Sequence, residues 1–300
     1  MNLGKLCVAL ALPGFLRVIG FVVDPLLSDA EIHRTMGEPA RTRRDVPDPA
    51  HLSVVTWNIE RGKEYDGIVR VLKALDADVL LLQEVDRGCR RTGYRDVARD
   101  LAHALDMNWV SGGEFQEIGE GRRGRAAITG QAILSKQPID GVEVLRFRAQ
   151  ARWKWSINPA QPRRGGRMTL QARTAGVRFY NTHIESGRDD SLQRTQIAEI
   201  LAYENGAGTD DDPVVIGGDF NNGPVLRASM FGRLTAAAFE DALGKADGRG
   251  PTSEGQLHPI DWIFVKNASP TRGRIVQAPS ASDHFPLFVA LTSAALAPNR

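Results

Sequence analysis

Apolar positions along the chain recur with two spacings, one typical of strands and one typical of helices. Residues 52–58 are rich in β-branched and apolar side chains and predict a strand, and DVLLLQ at 78–83 is typical of a strand buried on both faces. Strands outnumber helices, which favours an α/β domain with helices outside β-sheets. Helical spacing predicts helices at 65–75, 97–105 and 192–203. Further strands are predicted at 132–135, 142–147, 168–173, 177–183, 214–218, 260–265 and 285–291.

The chain before this pattern divides into two parts. Residues 6–23 are apolar apart from Arg17 and are broken by Pro13-Gly14, which leaves two interpretations open: an anchor or secretion signal, or an arm packed on the domain. Residues 38–49 hold three prolines and three arginines, which is typical of a linker. We therefore expect an arm and linker at 1–50, one folded domain at 51–293, and a tail at 294–300.

Composition and charge narrow the class of protein. Of the 300 residues, 42% are hydrophobic and 25% are charged, which excludes a disordered or fibrous chain. The net charge of +2 gives no strong global field to attract nucleic acid or an anionic membrane, so any basic surface must be local. Two cysteines are too few for a disulfide framework and match no zinc spacing.

The polar residues that could carry chemistry stand where predicted strands end. Glu84 directly follows an apolar run, so its carboxylate would be partly desolvated and would need a cationic partner. Carboxylates, amides and histidines without cysteine suit a hard cation such as Mg²⁺ or Mn²⁺. The other strand-end candidates are Asn58, His183, Asp219, Asn221, Asp261, Asp283 and His284.

Six short motifs in order carry a resemblance to a known family. WNI, LQE, TH, GDFN, IDWIF and SDH occur between about residues 52 and 291. In this order they resemble the endonuclease/exonuclease/phosphatase superfamily, whose relatives include deoxyribonuclease I, exonuclease III, neutral sphingomyelinases and inositol polyphosphate 5-phosphatases. The resemblance implies a four-layer α/β/β/α sandwich in which two mixed β-sheets face each other between outer helices, with the active site at one edge. It also implies a catalytic domain at 51–293.

The resemblance implies a metal shell. Glu84 is similar to the principal metal ligand, with Asn58 and Asp283 nearby in the same metal and phosphate shell. The ion implied is Mg²⁺, with Mn²⁺ as an alternative.

It also implies catalytic roles. Asp219 resembles the acid that orients or deprotonates the attacking water, and Asn221 its hydrogen-bonding neighbour. His183 matches the histidine that bonds a phosphate oxygen, and His284 the second histidine, oriented by Asp261. Whether His284 or Asp219 is the general base stays open.

Three residues are candidates for substrate contact. Gln131 stands where the family has Asn in G-N-A-I-L-S, so a phosphate contact and a structural role are both open. Arg164 belongs to the arginines that flank a glycine pair, and Trp153 lies among basic residues, where it could stack on bases or meet a lipid surface.

The function expected is a metal-dependent phosphoric ester hydrolase that attacks with water, with a nuclease acting on DNA or RNA favoured. The alternatives are a phospholipid or sphingomyelin phosphodiesterase, an inositol-phosphate phosphatase, and an inactive binding protein with the same fold. The expected partner is a phosphodiester, with nucleic acid favoured, and the apolar N-terminus would allow membrane association. A monomer is favoured, and a cytoplasmic location is favoured over an anchored or exported one.

Overall fold

The computed structural model of the protein describes residues 25–38, 51–122, 124–151, 162–186, 190–207, 211–222, 224–244, 250–278 and 280–292. The apolar segment 6–23, most of the predicted linker, Trp153 and the tail 294–300 lie outside these ranges. Among the described residues, no helix is both long enough and apolar enough to cross a membrane.

The first sheet has eight strands. The strands are β1 (Thr35–Glu38), β2 (Leu52–Arg61), β3 (Val79–Arg87), β4 (Asn108–Arg122), β5 (Arg125–Ser135), β7 (Arg163–Gly165), β13 (Ser269–Ile275) and β14 (Leu287–Thr292). They follow the order β1-β4-β5-β3-β2-β14-β13, and β7 pairs with β4. The pair β2 and β3 is parallel and the other described pairs are antiparallel.

The second sheet has six strands: β6 (Ile139–Arg146), β8 (Met168–Thr174), β9 (Val177–His183), β10 (Val214–Asp219), β11 (Glu240–Asp241) and β12 (Asp261–Lys266). They follow the order β11-β12-β10-β9-β8-β6. The pair β9 and β10 is parallel and the other pairs are antiparallel.

Five α-helices and a short 3₁₀ helix (Arg90–Thr92) complete the described chain. The second helix begins at Tyr65 as the spacing predicts, buries Ile68 and Leu72, and ends before Asp76, which adopts a left-handed conformation. The helices are α1 (Asp29–Ile32), α2 (Tyr65–Leu75), α3 (Val97–Leu105), α4 (Ser191–Ala207) and α5 (Pro224–Ala236).

Three apolar clusters separate four layers. Alternate residues of both sheets, such as Leu81 and Val215, pack between the sheets. The opposite face of the first sheet, including Leu80, packs on α2 and α3, while Ile216 of the second sheet packs with residues of α4 and α5. The α/β/β/α sandwich with two mixed sheets is therefore confirmed. Residues 25–38, ahead of the predicted domain, are joined to the first sheet through β1 and two hydrogen bonds of the Gln116 side chain, which accepts from the Leu27 N–H and donates to the Pro25 carbonyl.

Nine of the fourteen strands correspond to predicted ones. The structure adds β4, β13 and the three short strands β1, β7 and β11, and it adds the helices α1 and α5. The strand β4 lacks an apolar run because Gly112 and Gly113 interrupt it, and close packing requires the second of these. A Cβ on Gly113 would lie 2.1 Å from the carbonyl oxygen of Ile32.

Candidate active site

Register within the second sheet places three of the predicted side chains side by side. The strands β9 and β10 align His183 with Asp219, and β10 and β12 align Asp219 with Asp261. All three residues stand at the same edge of the sheet and are almost fully buried. Because neighbouring strands are about 4.8 Å apart, this register alone gathers two carboxylates and an imidazole.

His284 forms a tight pair with Asp261. Its Nδ1 lies 2.9 and 3.1 Å from the two carboxylate oxygens of Asp261. Burial alone would lower the pKa of His284, but the charges of Asp261 and Asp219 and the Asp261 hydrogen bond outweigh it and raise the pKa to about 10. The imidazole is thus held as a cation with Nε2 directed toward Asp219, 3.8 Å from its Oδ2.

Thr252 completes this pair from the loop before β12. Its hydroxyl donates to Asp261 Oδ2 at 2.7 Å and accepts from the backbone N–H groups of Ile260 and Asp261, both at 3.0 Å. The Trp57 indole donates to the backbone oxygen of His284 at 2.8 Å. These bonds fix both partners of the pair.

Asp219 lies at the centre of the site. Asn58 of the first sheet donates to its Oδ2 at 3.2 Å, and His183 Nε2 lies 3.3 Å from the same atom. Burial and the charge of Asp261 raise the pKa of Asp219 to about 7, against the lowering effect of His284. The neighbouring Asn221 reaches Asp219 through its backbone N–H, at 2.9 Å, while its side chain donates to the Ile184 carbonyl.

His183 is neutral. Burial lowers its pKa well below the usual value, and the charges of Arg167, His284, Arg163 and Arg61 lower it further. Its Nδ1 is buried with no hydrogen-bond partner among the described residues.

Glu84 and Asp283, which precedes His284 in the chain, form a second acidic pair. Glu84 has φ of 51° at a bulge in β3, and its Oε2 lies 3.6 Å from Arg61 Nε, which is a loose contact. Burial raises the pKa of Asp283, and the charges of Glu60 and Glu84 raise it further. The charges of the predicted shell residues Glu84 and Asp283 therefore interact.

Two sets of side chains could hold a cation. Asp219, Asp261 and His284 each offer one ligand atom within 4.8 Å of the others. Asp261 is hydrogen-bonded to Thr252 and to His284 Nδ1, so a cation bound to its carboxylate would compete with these hydrogen bonds. Glu84 and Asp283 offer further carboxylate oxygens, with Glu84 Oε2 3.6 Å from Arg61 Nε and Asp283 Oδ1 accepting from the Ser282 hydroxyl at 3.4 Å.

Two of the predicted substrate residues, Gln131 and Arg164, contact side chains outside the cluster of His183, Asp219, Asp261 and His284. Gln131 is fully buried, and its amide donates to Glu114 Oε1 at 3.0 Å and to the Met168 carbonyl at 2.8 Å. Arg164 lies 3.7 Å from Asp29, beside the N-terminal segment. Trp153 lies outside the described residues.

Sequence reasoning did not single out Thr252 or Arg61. No local pattern distinguishes a threonine in a polar loop, and Arg61, the last residue of β2, belongs to no motif. Arg163 and Arg167 were visible only as part of a basic stretch. A period-two analysis of 163–165 would have separated Arg163 from its neighbour Arg164.

Comparison with known proteins decides the family. The model of the Endonuclease/Exonuclease/phosphatase family matches residues 55–284. The chain belongs to the endonuclease/exonuclease/phosphatase family. Members of this family are phosphoric ester hydrolases. No curated protein matches the sequence.

Solved structures share the fold. A family member from Beutenbergia cavernae is 20% identical with a TM-score of 0.60, covering 81% of this chain and 72% of its own. Humanized D. rerio TDP2 is 17% identical with a TM-score of 0.54, covering 81% of this chain and 100% of its own. ANGEL2, a 2′,3′-cyclic phosphatase, is 18% identical with a TM-score of 0.56, covering 80% and 95%. The endonuclease/exonuclease/phosphatase fold thus extends across most of the chain.

Proposed function

We propose that the protein is a divalent-metal-dependent phosphodiesterase that hydrolyses phosphate esters by direct attack of water, with nucleic acid as the favoured substrate. The observation that supports this most is the meeting of two groups at one sandwich edge. One is the buried cluster of Asp219, Asp261, His183 and His284, and the other is the carboxylate group of Glu84 and Asp283.

The residues fit Mg²⁺ or Mn²⁺. Glu84 and Asp283 offer hard oxygen ligands and repel each other, and the Asn58 amide donates to Asp219. When bound there, the ion would relieve negative charge on the phosphate oxygens.

The side chains divide the remaining chemistry. Asp219 accepts hydrogen bonds at the centre of the site, so we assign it to orient or deprotonate the attacking water, held in place by the Asn221 backbone. His183 is neutral and buried, and we assign its ring N–H to a non-bridging phosphate oxygen. The cationic His284, fixed by Asp261, stabilises charge that develops on the phosphate.

The fold relatives support a phosphate ester as substrate. ANGEL2 is a 2′,3′-cyclic phosphatase, and its structure is a complex with adenosine-2′,3′-vanadate. Lipid phosphodiesterases and inositol phosphatases use the same chemistry, so only a substrate panel separates them from a nuclease.

The test is Mg²⁺-dependent hydrolysis of plasmid DNA, single-stranded RNA, sphingomyelin, inositol polyphosphates and bis-p-nitrophenyl phosphate. We expect chelation to abolish activity, and Asp219→Asn to lower turnover by at least ~10² because the central acceptor loses its charge. Glu84→Gln should raise the Mg²⁺ concentration required for half-maximal activity. Asp140→Asn, an exposed change in β6, is the matched control and should behave as wild type.

Two results would contradict the proposal. Activity that survives chelation would contradict the metal requirement. Near-normal turnover in Asp219→Asn would contradict the role assigned to Asp219. If the protein is folded and binds Mg²⁺ but hydrolyses none of these substrates, a binding role is favoured.

A further inference from the structure

A buried pair of amide side chains joins the two sheets beneath the candidate site. Gln83 belongs to β3 of the first sheet and Asn181 to β9 of the second, and both side chains are fully buried. Gln83 Nε2 donates to Asn181 Oδ1 at 2.6 Å. Glu84 directly follows Gln83, and His183 lies two residues after Asn181. This amide pair therefore connects the strand that carries Glu84 with the strand that carries His183.

Backbone carbonyl groups, which only accept hydrogen bonds, fix the orientation of both amides. Gln83 Nε2 donates to the Leu81 carbonyl at 3.0 Å as well as to Asn181. Asn181 Nδ2 donates to the carbonyls of Leu82 and Ala132, both at 2.9 Å. Each of these nitrogen positions must be held by an amide donor, so Asn181 Oδ1 is left to accept from Gln83.

The two carbonyls bound by Asn181 belong to the last regular pair before a β-bulge. Leu82 pairs with Ala132 in the register of β3 and β5, and the next pair is Val85 with Gly130. Two residues of β3 therefore stand opposite one residue of β5, which defines a bulge. Asn181 binds this step of the first sheet from the opposite sheet.

Glu84 is the second of the two bulged residues of β3, and its backbone is strained. Its φ of 51° lies in the left-handed region, which costs free energy for a residue with a Cβ and persists only where surrounding contacts hold it. The amide pair supplies such contacts, since it binds the carbonyls of the two residues that precede Gln83. The direction of the Glu84 side chain therefore depends on this pair.

The amide pair also acts on the second sheet. Side chains two residues apart in a strand lie on one face, so His183 shares the face of β9 from which Asn181 reaches the first sheet. Parallel register then places His183 beside Asp219. The hydrogen bond between Gln83 and Asn181 thus limits how far Glu84 can lie from His183 and Asp219.

Burial of this pair has a cost for stability. Gln83 Oε1 is buried and has no hydrogen-bond partner within the described part of the chain. An apolar contact between the sheets would avoid that cost. What the amides add is direction, because hydrogen bonds fix an orientation and apolar packing does not. A pair of this kind is therefore suited to placing a side chain in the site.

We propose that Gln83 and Asn181 are positioning residues that hold the Glu84 carboxylate in the orientation in which it binds the divalent cation. This inference rests on the proposed function, in which Glu84 is a metal ligand. The two amides act through Glu84 and not on the substrate. Groups that orient a metal ligand typically change the affinity for the metal by about 10- to 100-fold when they are removed.

The test is Mn²⁺ binding to the folded protein, measured by electron paramagnetic resonance of the free ion, with Asn181→Leu as the main variant. Leucine keeps a branched side chain but removes the donor to Leu82 and Ala132 and the acceptor for Gln83. We expect the Kd for Mn²⁺ to rise by about tenfold or more. Gln83→Met keeps the length of the side chain and leaves both carbonyl bonds of Asn181 in place, so it should raise the Kd by a smaller factor.

The matched control is Thr174→Val, which removes a hydrogen bond between the same two sheets at their other end. The hydroxyls of Thr174 in β8 and Ser135 in β5 are buried and lie 2.7 Å apart. Ser135 pairs with Val79 at the start of β3, whereas Glu84 lies toward its end. Thr174→Val should lower the melting temperature and keep the wild-type Kd for Mn²⁺. An equal loss of Mn²⁺ affinity in Thr174→Val and Asn181→Leu would overturn the inference.

A double-mutant cycle shows whether the pair acts through Glu84. In the Glu84→Gln background, Asn181→Leu should change the Kd for Mn²⁺ little, because the ligand that it positions is already altered. Equal losses in both backgrounds would overturn the inference, and so would a wild-type Kd in Asn181→Leu. If Asn181→Leu does not fold, Gln83→Met decides, and an unchanged Kd in that variant rejects the positioning role.

The same measurements separate this inference from the proposed function. Mn²⁺ binding that Glu84→Gln weakens and Asn181→Leu leaves unchanged would keep the metal site and reject only the role of the amide pair. Wild-type protein that binds no Mn²⁺ would contradict both.

Discussion

Thr252→Val tests whether one buried hydroxyl holds the Asp261–His284 pair. Valine keeps the shape of threonine but removes a donor to Asp261 Oδ2 and an acceptor for two backbone N–H groups, those of Ile260 and Asp261. Thr252 is fully buried, so no water replaces these bonds. At about 1 kcal/mol for each lost bond, and more for the charged acceptor, the free energy of unfolding should fall by about 3–5 kcal/mol. At roughly 2–4 °C per kcal/mol, the melting temperature should fall by about 6–20 °C.

Thr252→Ser is the matched control, since it keeps the hydroxyl and loses only a methyl group, which costs about 1 kcal/mol. The assay is urea unfolding of both variants, followed by turnover of whichever substrate the wild type cleaves. We expect Thr252→Val to lower turnover and Thr252→Ser to restore most of it, because the hydroxyl orients the carboxylate that holds His284. Equal stability of the valine and serine variants would refute the reasoning.

Two further changes test the framework around the site. Gly218→Ala should destabilise the protein by at least about 3 kcal/mol, because Gly218 has a φ of 152° and a Cβ there would lie 1.8 Å from the Thr182 carbonyl oxygen. Gly232→Ala, at a helix position where a Cβ would have nothing within 4 Å, should instead be neutral or stabilising. Chemical denaturation of both variants measures the difference. His33 is buried, its Nδ1 lies 2.8 Å from the Gly113 carbonyl, and burial lowers its pKa. The contribution of His33 to the free energy of unfolding is therefore complete above its unfolded pKa of about 6.5 and is lost as pH falls through its pKa in the folded protein. We expect wild type to lose stability relative to His33→Gln between pH 7.5 and 5. Parallel pH profiles of the two proteins would contradict this.

The sequence predicts those parts of the fold that are buried from both sides. The strands β3 and β10 lie between layers, so their apolar runs stand out, and the polar residues that end the neighbouring strands β9 and β10 meet because parallel register brings His183 beside Asp219. The same reasoning does not predict the strand β13, because most of its residues are exposed and it has no apolar run. Its position depends on pairing with β14, a tertiary contact that no local period encodes.

The same distinction explains which parts of the candidate site were accessible to sequence analysis. Residues at the ends of buried strands, such as Asp219 at the end of β10 and Asp261 at the start of β12, are conspicuous because a carboxylate adjoins an apolar run. Thr252, which orients Asp261, is not conspicuous because it comes from a loop. Arginines pose a harder problem, since a basic stretch carries no information about direction. Only the pairing of β7 with β4 shows that Arg163 and Arg164 lie on opposite faces of the sheet, Arg163 over the Phe115 ring and Arg164 beside Asp29, so the surroundings of these arginines depend on strand register more than on composition.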